Sequence, residues 1–340
     1  PKPFIIPVFL PHCGCPHRCV FCNQTAITGS AADFPDKKKL QETIRKFLSH
    51  KGKKRGKTEI SFYGGNFLGL TREKIRACLE AAQYFTGQNA VDGLRFSTRP
   101  DTISRGRLQW IADYPVSTIE IRVQSMVDAV LDASRRGHSA DDARQALARL
   151  KQAGYQTGIQ LMVGLPGDSP ERSAYTAREV VSLAPDFVRI YPALVIENSP
   201  LARWYRAGRY RPLSLNECVS RVKDLYRIFS AADIPVIRMG LQATDGLSSG
   251  GVLAGPYHPA LGHMVRAEIM RDQAAEKIRQ LAPARAAALT LRVNLGNYSQ
   301  MQGLKRQNLT ELKTAFALSR IDLIADPELP ESFVSVSTAP

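Results

Sequence analysis

Apolar residues recur along this chain in two alternating rhythms. Short runs, in which every second or nearly every position is apolar, read as strands: FIIPVFL (4–10), TEISFY (58–63), LRFS (94–97), TIEIRVQ (118–124), GIQLMVGLPG (158–167), FVRIYPALV (187–195) and IPVIRMG (234–240). Between them the apolar positions fall three and four apart, as on one face of a helix. Leu40, Ile44, Phe47 and Leu48 make such a stripe after Pro35-Asp36. Ile75, Cys78, Leu79, Ala82 and Phe85 make the next, and Leu108 with Ile111 a third. ADDARQALARLKQAG carries another, with Gly154 as its C-cap. Ser169 with Pro170 opens a fifth, as N-cap and first helical residue, and the capping box Ser214-Leu-Asn-Glu217 opens a sixth.

Six strand–helix units and a further strand imply a parallel sheet with helical crossovers. Six are too few to close the eight-unit barrel, so the expected fold is α/β, a partial (β/α)6 TIM-like barrel. From about Ser248 the rhythm breaks in the glycine- and proline-rich GGVLAGPYHPALG, followed by a helical stretch, Leu261–Leu281. Strand 288–294, helix 302–318 and strand 321–324 then suggest a small α/β unit. The expected division is a core over 1–243 and a C-terminal extension over 244–340 packed on the barrel.

A chain of 340 residues, 44% hydrophobic and 23% charged, has the composition of a globular protein with a sizeable core. No apolar run reaches membrane-spanning length, and the N-terminal apolar segment runs on without a small-residue cleavage site. Of six cysteines, four lie within residues 13–22, which is metal-like clustering and not a disulfide framework. A cytoplasmic protein is expected. The net charge of +15 invites a polyanion partner. Part of that excess is local, in Lys51, Lys53, Lys54, Arg55 and Lys57. That loop joins a helix back to the second strand, on the face away from the cysteines, and reads best as solvated.

Cys15, Cys19 and Cys22 form a C-x3-C-x2-C loop directly after the first strand. Zinc takes four ligands or three plus water, and a cubane iron–sulfur cluster normally takes four cysteines. Three thiolates therefore leave one position open, where chemistry can occur. Sites of parallel barrels lie at the carboxyl ends of the strands. Gly64-Gly65, Ser97-Thr98, Gln124-Ser125, Gly164-Leu-Pro-Gly167 and Tyr191-Pro192 all fall there, on the cysteine face.

The cysteine spacing, the glycine pair, Val123-Gln124-Ser125 and the GLPG turn together resemble the radical S-adenosylmethionine (SAM) superfamily. PHRCVFCNQ, FYGG, STRPD, RRGH, RIYPALVI and AGPYHPALG resemble its elongator catalytic subunit-like branch in stand-alone bacterial form, with the oxygen-independent coproporphyrinogen oxidases also near. The likeness spans roughly residues 4–240.

It implies an oxygen-sensitive [4Fe–4S] cluster on Cys15, Cys19 and Cys22, with SAM chelating the free iron. One electron, from a donor such as flavodoxin or ferredoxin, then breaks the sulfonium bond and yields a 5′-deoxyadenosyl radical. It also implies SAM contacts. Gly64, Gly65 and Asn66 would meet the methionyl amine, and Ser97 and Thr98 the methionyl or ribose part. Gln124 would bond the ribose, Arg136 the carboxylate, and Phe21 and Leu165 would line the adenine. An RNA such as tRNA is an implied substrate. With the chain ending at 340, acetyl transfer is not carried over.

Some positions depart from the resemblance or stand outside it. Asn66 replaces an acid or hydroxyl residue, Gln160 replaces an aspartate of the porphyrin branch, and Cys13 is an additional thiol that leaves a 13–19–22 triad open. Cys78, Cys218, Trp110 and Trp204 read as core or helix-surface residues, and His12 and His17 as loop packing. His138 and His258 are not explained by helix periodicity, and Tyr257 and His258 are candidates for substrate contact. The alternative is a zinc-stabilised nucleic-acid-binding protein using Cys15, Cys19, Cys22 and one of His12, His17 or Cys13.

Overall fold

The computed structural model describes residues 3–10, 12–24, 34–50, 56–242 and 251–339. Four cations of the lysine-rich loop, Lys51, Lys53, Lys54 and Arg55, lie outside the described residues, as does Ser248. The chain divides into two compact units, residues 1–257 and 258–340.

Seven strands build the first unit: β1 (Phe4–Leu10), β2 (Thr58–Gly64), β3 (Gly93–Thr98), β4 (Val116–Gln124), β5 (Gln156–Val163), β6 (Phe187–Pro192) and, after the short β7 (Val195–Ile196), β8 (Val236–Met239). They pair in parallel in chain order, β1-β2-β3-β4-β5-β6-β8. Each crossover moves one place in the same direction, which curls the sheet into the expected partial barrel. β1 and β8 are its edges, so it stays open.

The helices begin and end where the sequence chemistry places them. Asp36 caps Lys37–Ser49 and Thr71 caps Arg72–Gly87. Ser139 and Ser214 form complete capping boxes with Asp142 and Glu217, at the starts of Ala140–Gln152 and Leu215–Ala231. Their inner faces, including Leu79, Phe85, Leu147, Leu225 and Phe229, are buried, as is the apolar face of the sheet at Ile60, Phe62, Leu94, Phe96, Ile119, Ile121, Ile159 and Ile190. Each such side chain contributes about 1.5–3 kcal/mol through removal from water.

The alternate positions of the same strands are polar and form one bonded group. Arg95 bridges Glu59 (2.9 Å) and Glu120 (2.8 Å). Glu120 also accepts from Gln160 Nε2 (2.8 Å) and Arg189 Nη2 (3.1 Å), and Arg189 reaches Tyr63 (3.3 Å). Lys57 closes on Glu59 at 2.9 Å. Burial pushes the Glu59 carboxyl up, but the bond to Lys57 and the Arg95 charge outweigh it and hold Glu59 below the usual carboxylate range.

Three features differ from the sequence expectation. The run 187–195 does not continue as one strand. It stops at Pro192, and β7 turns off to pair antiparallel with β9 (Val252–Ala254), so this stretch belongs to the first unit. In the second unit the helix Leu261–Leu281 stands as read, and β10 (Ala288–Val293) pairs with β11 (Arg320–Ala325). The expected helix 302–318 is broken, because Gly303, Lys305 and Arg306 all take positive φ. Regular helix therefore begins only at Gln307. A third strand, β12 (Val334–Thr338), pairs antiparallel with β10; its short, alternating VSVST carried too few apolar residues to stand out.

Truncating Glu120 to alanine strands Arg95 and Arg189 without their shared carboxylate. This should cost roughly 3–5 kcal/mol, read as a shift of the urea unfolding midpoint at unchanged slope.

Candidate metal centre and cofactor pocket

The cysteine loop leaves the end of β1 and is tied down at both ends. His12 N donates to Gln24 Oε1, and Gln24 N returns a bond to His12 Nε2 at 3.0 Å. His12 is thereby a clip for the loop, with its Nε2 engaged. Cys22 N bonds Cys19 O (3.1 Å), Val20 N bonds Ser134 O (3.1 Å) and Leu201 N bonds Val20 O (2.8 Å). Cys19 is buried, and Cys15 and Cys22 are half-buried. The three lie within electrostatic reach of one another. Burial pushes the Cys15 thiol up and Cys22 up to about 12; Cys19 adds to both, while Arg122 and Arg136 work the other way. Cys13 instead comes close enough to Cys78 to act on it, where burial is the main cause of a thiol pushed up to about 12.

The glycine pair serves the loop directly. A Cβ on Gly65 would stand 2.0 Å from Cys13 O and 2.6 Å from Leu10 O, so only glycine admits the loop backbone here. Asn66, fully buried, ties three elements together. Its N bonds Cys13 O (2.7 Å) and its Nδ2 bonds Gly14 O (3.0 Å). Its Oδ1 accepts from Thr98 Oγ1 (2.6 Å), Arg99 N (3.0 Å) and Thr102 Oγ1 (3.0 Å). The Asn66 and Thr98 side chains are thus wholly engaged within the protein. Gly137, at φ +65°, lets the 135–138 turn abut the loop, since a Cβ there would lie 2.5 Å from the His17 ring.

Above the balanced ion group the charges change character. Arg122, on β4, donates to Gly64 O (2.5 Å) and Ser97 Oγ (2.9 Å). Arg136 donates to Cys19 Sγ (2.9 Å) and Arg122 O (2.6 Å). Among the described residues neither has a carboxylate partner, and the Nε of each is buried without a partner. Arg99 pairs with Asp101 at 2.9 Å and also donates to Arg136 O. His138 bonds Val123 O through Nε2 (3.2 Å). Burial, then Arg136 and Arg99, push it down to about 3, so it is neutral. Gln124, at φ +70°, keeps a buried Oε1 with no partner.

These features fit an anionic metal centre with a polar ligand beside it. Uncompensated buried guanidiniums are costly unless an anion joins them, and three thiolates are anions. An orphaned acceptor is costly unless a donor arrives.

The structure therefore brings Cys15, Cys19, Cys22, Gly64, Ser97 and Arg136 into one bonded or electrostatically linked group, with Gln124 following Arg122 and Val123 at the end of β4. Phe21 and Leu165 share an apolar cluster with Val130 and Ala193. Tyr257 packs with Leu194 and Ile196. His258 opens the second unit, where its Nδ1 accepts from Ala260 N (3.1 Å). Cys78 and Cys218 are fully buried, as core residues are. Sequence reasoning missed Arg122. The signal was the alternation in TIEIRVQ, which sets Glu120 and Arg122 on the same polar face.

Comparison with known proteins agrees with this geometry. The family model for the radical SAM superfamily matches residues 9–180, and that for the Radical_SAM C-terminal domain matches residues 185–271. The chain belongs to the radical SAM superfamily. It is 32% identical to uncharacterized protein MJ0486 of Methanocaldococcus jannaschii, over 66% of this chain and 71% of that one. It is 25% identical to the tRNA uridine(34) acetyltransferase of Dehalococcoides mccartyi, over 69% of this chain but only 60% of that protein. In fold it resembles the Elp3 of Methanocaldococcus infernus lacking residues 1–46, at a TM-score of 0.62 and 21% identity, over 79% of this chain and 63% of that one. The elongator-like branch is supported, and the protein is a radical SAM enzyme. The zinc-stabilised, non-enzymatic alternative falls with that assignment. Among the described residues no helix is long and apolar enough to cross a membrane.

The neutrality of His138 has a measurable consequence. Its folded pKa of about 3 lies below the unfolded value of about 6.5, so the unfolded state binds the extra proton between them. That contribution is complete above the unfolded pKa and is lost as pH falls. Urea unfolding of wild type and His138→Gln at pH 7 and pH 5 should show the wild type losing about 2 kcal/mol more than the variant.

Proposed function

We propose that the chain binds a [4Fe–4S] cluster through Cys15, Cys19 and Cys22 and cleaves SAM reductively beside it, to modify an RNA of the tRNA class. The observation that carries the metal part is that Cys15, Cys19 and Cys22 act electrostatically on one another beside two guanidiniums that lack a carboxylate among the described residues, although the described side chains do not stand as a ready-made metal site. When bound, the cluster and SAM supply an electron, homolysis of the sulfonium bond and a primary carbon radical that takes a hydrogen atom from substrate.

The protein's own contribution is charge, orientation and dryness. Ligation needs thiolates, and burial resists them at Cys15 and Cys22; Arg122 and Arg136 work against that resistance without cancelling it. Arg122 is held between Gly64 O and Ser97 Oγ, which keeps its charge at the carboxyl ends of β2, β3 and β4. In this reading Gln124 Oε1 accepts from a ribose hydroxyl, while Phe21 and Leu165 wall the adenine side from water. Cys13 holds the loop and is not a ligand. Support for RNA comes from the net charge of +15 and from relatives named for tRNA uridine(34). The chain covers 60% of the Dehalococcoides relative, and RNA modification is proposed from that shared part alone.

One anaerobic experiment tests both parts. Reconstituted protein with dithionite and SAM should release 5′-deoxyadenosine and methionine. Alanine at Cys15, Cys19 or Cys22 should abolish both bound iron and product, while alanine at Cys13 or Cys78 should keep both. Added deuterated tRNA should raise turnover and place deuterium in 5′-deoxyadenosine. Cleavage that proceeds but ignores tRNA would reject the RNA substrate and leave the metal assignment standing.

A further inference from the structure

The turn after β5 has two sides. On one, Leu165 packs into the apolar cluster with Phe21, Val130 and Ala193. On the other lies a cavity of about 290 Å³, bounded by the turn Gly164–Asp168 and by Trp204, Arg209, Tyr210, Arg211, Leu213 and Arg221. Of the residues assigned to the cluster or to SAM, Leu165 alone lines it.

The turn side of this cavity is fixed by its own bonds. Asp168 accepts from Gly164 N (2.8 Å), Ser173 Oγ (2.8 Å) and Arg221 Nη1 (3.2 Å), and Tyr210 Oη donates to Gly164 O (2.6 Å). Leu213 packs so closely that a Cβ on Gly164 would stand 2.8 Å from it. A concave site already held in shape loses little freedom when it is filled.

The remaining wall is flat and cationic. Trp204 is half-buried at the helix Pro200–Arg206, and the Arg209 guanidinium lies over its ring at 5.6 Å. Arg135 also lies over the ring, at 5.7 Å, but does not line the cavity. The charges there nearly balance: Arg211 has Glu217 at 2.7 Å, and Arg221 has Asp168 at 3.2 Å. Arg209 is exposed and has no carboxylate partner among the described residues. One guanidinium is therefore left over, beside an indole.

We propose that this cavity holds one nucleotide unit, with its base against Trp204 and its phosphate on Arg209. The proposal deepens the RNA reading and rests on it only for the source of the nucleotide. On binding, Arg209 moves from the ring to the phosphate and the base takes its place. The exposed cation–ring contact given up is weaker than the base stack and charge-assisted bond gained. Size and charge select this ligand. Small-ligand pockets begin at about 300 Å³, so the cavity takes a single unit, and its concavity does not suit a flat protein surface. A phosphodiester carries one negative charge, which matches the one surplus guanidinium; a triphosphate would need more cations. None of the three cysteines lines the cavity, so the unit is held there for position and is not the group attacked.

The chain has two tryptophans, so Trp110→Phe leaves Trp204 as the sole indole reporter. In that full-length background uridine 5′-monophosphate should quench Trp204 fluorescence saturably, and calorimetry on the unaltered chain should give the same affinity. Arg209→Ala should weaken binding roughly tenfold or more. Arg203→Ala, at an exposed cation outside the lining, should leave it unchanged. Uridine and inorganic phosphate, each missing one contact, should each bind roughly tenfold or more weakly than the monophosphate. A short oligouridylate that binds more tightly and loses affinity with salt supports the site and assigns the unit to a strand; equal or weaker binding supports it as a site for free nucleotide. Phosphate binding as tightly as the monophosphate, indifference to Arg209→Ala, or displacement by S-adenosylhomocysteine overturns the proposal. So does the absence of binding by both methods. In that case tRNA that still raises 5′-deoxyadenosine release keeps the RNA reading standing without this site.

Discussion

Two buried guanidiniums, one bonded to Cys19 Sγ and both acting on Cys15 and Cys22, have no carboxylate partner among the described residues and set the terms for the rest of the first unit. Arg136 touches Cys19 Sγ and the Arg122 carbonyl; Arg122 in turn grips Gly64 O and Ser97 Oγ. The chain of contacts runs across β2, β3 and β4 and into the loop after β1. Parallel strands in chain order are what bring these four carboxyl ends side by side. A misplaced strand would leave a buried cation with neither its carbonyls nor its thiols, at several kcal/mol.

The polar face of the sheet is graded along the strands. At mid-strand the charges cancel: Arg95 and Arg189 share Glu120, and Glu59 takes Arg95 and Lys57. One step further toward the carboxyl ends Arg99 still has Asp101, but Arg122 and Arg136 have no acid beside them among the described residues. Alternation alone builds both zones, since Glu120 and Arg122 sit two residues apart on β4. The lower zone is closed and structural. In the upper zone Arg122 and Arg136 have no carboxylate partner among the described residues, and this is the physical difference between the two zones.

Much of the fold was legible because its signals are local. Ser139, Ser169 and Ser214 cap the helices that their spacing announced, and all seven strands of the barrel carry the expected apolar runs. What was not legible depends on partners far off in the chain. β7 exists because Val252–Ala254 returns to it. The break before Gln307 follows from left-handed backbone at Lys305 and Arg306, residues with no intrinsic mark for it. The same holds within the site. The cysteine spacing announced a metal centre, but the work of Asn66 could not be read locally: its amide meets Thr98, Arg99, Thr102 and Gly14, up to some fifty residues away.

Those long-range ties also bear on which thiols face the centre. Spacing alone leaves Cys13 and Cys15 as rivals for the first ligand position. The backbone of Cys13 is fixed by Asn66 N on its carbonyl and by Gly65, whose missing side chain lets that carbonyl approach. Its influence is felt at Cys78, on the helix Arg72–Gly87. Cys15, two residues on, is instead coupled to Cys19 and to the arginines that also act on Cys22. A ligand has to move with the loop onto its metal, whereas an anchor must stay with the sheet. The contacts of Cys13 are those of an anchor, whereas Cys15 keeps the electrostatic company of Cys19 and Cys22, as the proposed ligand set requires.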